Sequence, residues 1–258
     1  MSLIHPTAII DPSAQIGEGT SIGPYSVIGP NVEIGENCQI GPHVVVSGPT
    51  KMGSGNKIYQ FASVGEDPQD KKFSGEETWL EVGDNNIIRE YVTIHRGTEN
   101  DRSLTKVGSD NLFLAHSHIA HDCIVGNHVI FSNNASIAGH VTVGDYAILG
   151  GFSLVHQFCF VGSHTFLGMG SASTQDVPDY MIAAGEPSQP KGVNVEGLKR
   201  RDFTTSDIRL VRDAYKLLYR SQLGLEDALE RIVQLEDTKG VLKPMIETLR
   251  SSERGIIR

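Results

Sequence analysis

The sequence predicts a mainly β fold, a solenoid of short parallel strands followed by a C-terminal α-helical domain, and three observations carry that reading. Aliphatic residues recur every six positions, small residues stand four places after them, and glycine is common one place after them. The register runs from Ile4 through Ile10, Ile16, Ile22, Ile28, Ile34, Ile40, Val46, Met52 and Ile58 to Val64. It resumes at Val82, Ile88 and Ile94, then continues through Val107, Phe113, Ile119, Val125, Phe131, Ile137, Val143, Leu149, Val155, Val161 and Leu167.

A period of six fits neither a helix nor a long alternating strand. It fits a two-sided strand with one small and one aliphatic side chain turned inward, then a tight turn at Gly-Asn or Gly-Asp. Three hexads close a triangular coil of 18 residues, and coils stack at the ~4.8 Å spacing of parallel strands. The small positions include Ala8, Ala14, Thr20, Ser26, Thr50, Ala135, Ala147 and Ser153, and also Cys38, Cys123 and Cys159. The three cysteines are therefore expected to be buried core residues in a reducing compartment, since no C-x-x-C spacing suggests metal.

Residues 1–190 are assigned to the coil, with polar interruptions near 66–81 and 97–106 read as loops leaving it. Long loops on a rigid scaffold commonly carry function. The repeat fails after about residue 175, and 191–258 is assigned to a helical domain with helices over 206–221, 225–237 and 243–252. Thr204 and Asp207 have capping-box spacing ahead of the first of these. Such a domain would cover the apolar open end of the solenoid.

Composition excludes several classes. A hydrophobic fraction of 39% and a charged fraction of 21% suit a globular chain, and a net charge of −9 argues against nucleic acid as a partner. No stretch approaches a membrane span, and Met-Ser-Leu-Ile-His-Pro is not a signal peptide, so a cytoplasmic protein is expected.

Counting by 18 gathers a polar cluster at one corner of the coil. His121, Gly139 and Gln157 form one ladder, Asp122, His140 and Phe158 the next, and His156 lies above Ala138 and Ala120, a column that His95 joins if the 97–106 loop replaces no coil. His118 is one strand position away. A neutral imidazole can take a proton from a hydroxyl attacking a carbonyl, an adjacent carboxylate can fix its tautomer, and a glycine lets a backbone N–H approach an oxyanion. His5, His43, His128 and His164 are assigned to solvated corners. His116-x-His118-x-x-His121 superficially resembles metal spacing, but 116 and 118 face alike while 121 lies round the turn, so no metal is expected.

The hexads identify the chain as similar to the hexapeptide-repeat family, whose coils are left-handed parallel β-helices that assemble as homotrimers. Within that group it resembles the UDP-N-acetylglucosamine O-acyltransferases, which begin lipid A synthesis in Gram-negative bacteria. The resemblance rests on Tyr59-Gln-Phe-Ala-Ser63, Thr93-Ile-His-Arg-Gly97, His118-Ile-Ala-His-Asp-Cys123, Ala138-Gly-His-Val141, Val155-His-Gln-Phe158, Gln175-Asp-Val-Pro178 and Asn194-Val-Glu-Gly-Leu-Lys-Arg-Arg201.

That resemblance implies transfer of an (R)-3-hydroxyacyl group from acyl carrier protein to the glucosamine 3-hydroxyl of UDP-N-acetylglucosamine. No cofactor is expected beyond the carrier's own phosphopantetheine. It further implies His121 as general base, Asp122 as its partner and Gly139 as the oxyanion donor. Asp70, Lys72, His118, His140 and Gln157 would line the sugar and acyl pocket. His156, Asn194, Glu196, Arg200 and Arg201 would hold the nucleotide, in a site between adjacent subunits. An Arg fork suits a pyrophosphate. Met169, two residues after Leu167, stands where some relatives are expected to carry glycine and use longer chains; it is read as filling the end of an acyl groove, giving a 3-hydroxydecanoyl-like donor, with ordinary subunit packing as the competing reading. Pro187 stands where relatives often have histidine.

Despite the acidic total, Arg209, Arg212, Lys216 and Arg220 recur at helical spacing and make one basic face, suited to an acidic carrier protein or simply solvated. Two other functions stay open at this point. One is a hexapeptide-repeat transferase that acylates an amine or uses acetyl-CoA; the other is a non-catalytic or zinc-binding coil.

Overall fold

The computed structural model describes residues 3–258. Its three sheets are the three faces of a prism. The first has nine strands, from Ile9–Ile10 to Ala172–Ser173; the second has eight, from Gln15–Ile16 to Phe160–Val161; the third has ten, from Ser21–Ile22 to Gln189–Val193. The chain visits them in rotation, so neighbours within a sheet are one coil apart, as in His118↔Ser136 and Ser136↔Leu154. All neighbours are parallel except the last pair, where Met181–Ala184 meets Gln189–Val193 antiparallel. Sheet pairing thus extends to Val193, past residue 190 where the coil was expected to end.

Inward side chains alternate as the hexads require. Ile22, Ile28, Val46, Ile58, Ile94, Ile119, Ile137 and Leu149 are buried, as are Cys38, Cys123 and Cys159, all three of them free thiols. Burial pushes the Cys123 thiol up to about 12 and that of Cys159 to about 11, so both stay protonated and inert at neutral pH. Not every inward polar position is small. Asn56, Asn86 and Asn111 are fully buried between the second and third sheets and form a ladder, each side-chain oxygen accepting the backbone N–H of the residue one coil on. Their amides donate back to Gly53, Gly83, Gly108 and Gly126 carbonyls. The column is buried yet fully paired, as burial of amides demands.

The turns differ from the expected Gly-Asn geometry. In most turns the residue with positive φ is the third and not the glycine that opens the turn, as at Tyr25 (58°), His43 (55°), Asp122 (59°) and His140 (64°). Glycine at the first turn position answers a different need: a Cβ on Gly35 would stand 2.6 Å from the Gly53 carbonyl carbon of the next coil. Coils simply pass too close there for a side chain.

Many of the ring side chains at the left-handed positions stack on one another. Tyr25, His43, Phe61, Tyr91 and His116 form one ring column at the edge joining the third sheet to the first. His128, Tyr146, His164 and Tyr180 form another between the second and third sheets. Three of the histidines assigned to solvated corners, His43, His128 and His164, are therefore rungs of aromatic ladders, because a shared backbone conformation repeats them in register. His164 is also desolvated enough that its pKa drops to about 4, with Arg201 nearby acting in the same direction. His5 and His43 are both exposed, as expected of a corner, and His5 makes a local hydrogen bond to Thr7 Oγ1.

Two excursions leave the prism, over 67–78 and 96–103, somewhat shorter than expected because strands Trp79–Val82 and Leu104–Val107 take back the ends. Both leave from the edge between the first and second sheets, and Ile94↔Ile119 shows that the register survives the second one. Arg96 is buried beneath them, donating to the Gly65 carbonyl at 2.5 Å and to the Asp67 carboxylate.

Four helices follow: α1 (Val195–Lys199), α2 (Thr205–Tyr219), α3 (Leu225–Val233) and α4 (Lys243–Ser251). The short α1 was not anticipated. The Thr204–Asp207 capping box is formed at the start of α2. α3 stops earlier than 237 because the Asp237 carboxylate accepts the N–H groups of Val241 and Leu242, turning the chain towards α4. The helices close the end of the prism through buried Asp176 and Asp179, which accept hydrogen bonds from Ser252 and Thr248.

Candidate functional site

The edge from which both excursions leave also carries His121, Asp122, Gly139, His140, His156 and Gln157. His121, Gly139 and Gln157 each take the second position of a turn, in three successive coils, and His140 and Phe158 stand at the third, their rings parallel with centroids 4.2 Å apart. The coil period alone produces this gathering, because residues 18 apart occupy equivalent places on neighbouring coils.

Asp122 organises the centre. It is fully buried, and its carboxylate accepts from His121 Nδ1 at 2.9 Å, from the Thr98 backbone N–H at 2.9 Å and from Thr98 Oγ1 at 2.6 Å. Its own N–H donates to Thr105 Oγ1. Burial is the largest single influence on the carboxyl and raises its pKa, but the bonds from His121 and Thr98, with the nearby His140, together outweigh it and leave the group below its ordinary value. An ionised carboxylate only accepts, so the proton between them belongs to His121 Nδ1. His121 Nε2 is then the basic nitrogen.

Gly139 lies against that ring. A Cβ there would stand 2.6 Å from His121 Cε1 and 2.8 Å from Nε2. The glycine thus makes room for the imidazole, a need that the sequence reading, which assigned it only an oxyanion N–H, did not foresee. Its N–H takes no acceptor among the described residues. The same turn position holds Pro24, Pro30 and Pro42 in early coils, where no N–H exists at all. Between the second and third sheets that position is saturated instead, with Ser54 N–H on Asp84, Asp84 on Ser109, Ser109 on Asn127 and Asn127 on Asp145. The edge with His121 leaves its N–H available.

The other histidines occupy distinct environments. His118 Nδ1 lies 2.7 Å from Thr93 Oγ1, and burial, with His95 and His121 beside it, brings its pKa down to about 4. His95 is buried and likewise lowered, chiefly by desolvation. Both are neutral at pH 7. His140 Nδ1 lies 2.7 Å from Asp101 Oδ2, and its ring is edge-on to His121 with centroids 5.0 Å apart. His121, Asp122 and His140 offer donor atoms all within 4.8 Å of one another, a spacing that could hold a metal ion. Both Nδ1 atoms are, however, already engaged by carboxylates, an arrangement suited to proton transfer.

Two depressions flank the cluster. A cleft of about 610 Å³ is lined by Asp70, Lys72, Thr98, Asp101, His140 and Phe158, with Thr248 and Ser251 of α4 at its far end. A groove of about 450 Å³ on the first sheet is lined by His118, Ala138, Leu154, His156, Ala172 and Ser173. Thus Asp70, Lys72, His95, His118, His140, His156 and Gln157 lie at or beside one edge.

The remaining candidates do not join them within one chain. Asn194 caps α1 and donates to the His164 carbonyl, Glu196 pairs with Lys199, and the Arg201 guanidinium stacks on Tyr146; with Arg200 they lie along the edge between the second and third sheets. Met169 is 81% exposed at the edge between the third and first sheets, beyond the far side of the groove. Arg209, Arg212, Lys216 and Arg220 are all exposed along α2, with Lys216 paired to Asp213.

Sequence reasoning missed Thr98, Asp101 and Thr105. The signal was available: the excursion between the hexads of Ile94 and Val107 must leave at the edge where His121 turns, so its polar residues had to fall on Asp122 and His140.

The family model described as UDP N-acetylglucosamine O-acyltransferase, domain 2, matches residues 176–257, and that of the bacterial transferase hexapeptide (six repeats) matches 2–35 and 13–48. The acyl-[acyl-carrier-protein]–UDP-N-acetylglucosamine O-acyltransferase of Saccharophagus degradans is 51% identical over 258 residues, all of both chains. The chain belongs to the UDP-N-acetylglucosamine O-acyltransferase family. Solved structures of family members agree: LpxA from Acinetobacter baumannii superposes with a TM-score of 0.97 at 49% identity, and that from Moraxella catarrhalis with 0.97 at 43%, each covering both chains completely. The prism is accordingly a left-handed parallel β-helix, and this chain is an enzyme of the O-acyltransferase family. Among the described residues no helix is long and apolar enough to cross a membrane.

Proposed function

We propose that this chain transfers an (R)-3-hydroxyacyl group from the phosphopantetheine of acyl carrier protein to the glucosamine 3-hydroxyl of UDP-N-acetylglucosamine, with His121 as general base and no resident cofactor. His121 Nε2 takes the hydroxyl proton as the oxygen attacks the thioester carbonyl. The Gly139 N–H donates to the developing oxyanion, and Asp122 stabilises the imidazolium. Collapse of the tetrahedral intermediate forms the ester and releases the thiolate, which recovers the proton from His121 Nε2. The observation carrying this reading is the triple arrangement of a carboxylate on Nδ1, a ring seated on a glycine, and an available N–H at that glycine.

The placement of the other groups supports an assembly of copies. Asn194, Glu196, Arg200 and Arg201 flank a different edge from His121, so a homotrimer in which one chain's second edge faces its neighbour's first would complete a nucleotide site. The basic face of α2 fits an acidic carrier. The groove running from His118 towards the Met169 edge fits an acyl chain of medium length, with Met169 closing its end.

The test is His121→Ala. It is expected to keep a folded protein while lowering turnover of UDP-N-acetylglucosamine with 3-hydroxyacyl carrier protein by ~10²–10⁴-fold, the usual worth of a positioned base. A wild-type rate would reject the role.

A further inference from the structure

The geometry points to Asp101 as a positioning residue for the sugar nucleotide, acting through His140 as a second carboxylate–imidazole pair beside the first. This deepens the functional reading above and rests on it.

His140 is held on three sides. Phe158 lies flat against one face at 4.2 Å, His121 meets it edge-on at 5.0 Å, and Asp101 Oδ2 lies 2.7 Å from Nδ1. Asp122 Oδ2, the nearest competing acceptor, is 3.9 Å from the same nitrogen and already takes bonds from His121 and Thr98. Asp101 is therefore the group that fixes the ring. Its other oxygen lies 3.9 Å from Arg102 Nε, a loose contact that leaves the bond to His140 as its principal engagement.

The consequence lies in the remaining nitrogen. With Nδ1–H donated to Asp101, Nε2 of His140 becomes the ring's acceptor, and it has no partner among the described residues. His140 and Asp101 both line the cleft that also carries Asp70 and Lys72. An imidazole locked in one tautomer by a carboxylate presents a single directed acceptor to a sugar hydroxyl. A free ring would divide between two tautomers and several rotamers. The excursion over 96–103 thus arms both histidines, Thr98 bracing Asp122 behind His121 and Asp101 bracing His140 directly.

The experiment compares initial rates of the purified full-length wild type, Asp101→Ala, Asp101→Asn, His140→Ala and the Asp101→Ala/His140→Ala double variant, using UDP-N-acetylglucosamine and the 3-hydroxyacyl carrier protein that the wild type turns over fastest. Asp101→Ala is expected to raise KM for the sugar nucleotide about tenfold, the scale of one lost charge-assisted hydrogen bond at a partly exposed site, with a much smaller change in kcat. Asp101→Asn, whose amide oxygen still accepts, recovers most of that loss. In the His140→Ala background the Asp101 change adds nothing. Additive losses in the double variant, or wild-type KM in Asp101→Ala, would overturn the inference. A readout independent of turnover is the ring of His140 in long-range ¹H–¹⁵N spectra of histidine-labelled protein, expected as the Nδ1–H tautomer in the wild type and as a tautomer mixture in Asp101→Ala. An inactive wild type that kept this signature would sink the functional reading and leave the pair standing; identical spectra for the two proteins would sink the pair itself.

Discussion

Replacing Gly139 by alanine separates two reasons for a glycine. If the residue only supplied its N–H to the oxyanion, alanine would serve as well, since its backbone is unchanged. The structure says otherwise. An added Cβ would meet His121 Cε1 at 2.6 Å, Nε2 at 2.8 Å and Nδ1 at 3.1 Å, where carbon contacts settle near ~3.5–4.0 Å. The ring must retreat by about 1 Å, and because its Nδ1 bond to Asp122 is 2.9 Å long, that movement breaks or badly bends it. Misplacing a reacting group by ~1 Å can cost ~10²-fold in rate, so kcat for acyl transfer is expected to fall by about that factor. Stability should change little, because the displaced atoms belong to a side chain with free torsions and not to the coil. Gly151 provides the control: it holds the same turn position at another edge, and a Cβ there would touch only the Asn133 carbonyl oxygen at 3.4 Å. Gly151→Ala should leave kcat and the melting temperature near wild type. The assay is steady-state turnover paired with thermal melts. A Gly139→Ala enzyme with wild-type kcat would show that His121 does not need its observed seat.

Three further outcomes are expected. Asn86→Ala removes a bond to Asn56 and leaves the Gly108 carbonyl and the Asn111 N–H without partners; at ~1–3 kcal/mol per unsatisfied buried group, denaturant titration should show a loss of ~3 kcal/mol or more, and a neutral result would mean that water replaces the ladder. His118 and His164, both lowered to about 4, stay neutral in the folded chain while their unfolded counterparts take up protons below about 6.5; their stabilisation is whole above that pH and drains by ~1.4 kcal/mol per pH unit each down to about 4. His164→Phe keeps a ring in the ladder and should flatten the decline of melting temperature between pH 6.5 and 5, an unchanged slope counting against the assignment. Met169→Gly should move the preferred acyl donor to longer chains, and an identical preference across carrier proteins of several acyl lengths would dismiss its role as a stop.

The prism was legible because its determinant is local and repeated: each hexad specifies the same strand and turn, so Ile22 and Ile137 say the same thing many coils apart. The corner cluster followed from arithmetic alone, since a fixed period converts sequence separation into stacking. What escaped was whatever depends on the space between coils. Gly139 was read through its N–H because a sequence shows no neighbouring ring, and the stacking of His43 and His164 went unread because it emerges only when left-handed turns align. The buried Asn56, Asn86 and Asn111 broke the small-residue rule for a reason visible only in three dimensions, namely that each amide finds backbone partners on the next coil. The excursions hid Thr98 and Asp101, whose roles are set by folding back onto the prism and not by the repeat. Asn194 and Arg201 were placed by resemblance, and a single chain sets them on another edge.

Both excursions depart from one edge and rejoin with the parallel pairing on either side kept, at the cost of a single irregularity between Val64 and Glu66 where the first one leaves. Such a scaffold tolerates added sequence where the added residues face the reacting groups, and nowhere else need change. Descendants of one prism could therefore acquire new acceptors or new donors by rewriting a dozen residues at a time, while the stacked interior that aligns the base stays as it was. Grafting a relative's stretch in place of 96–103 would be the laboratory version of that history.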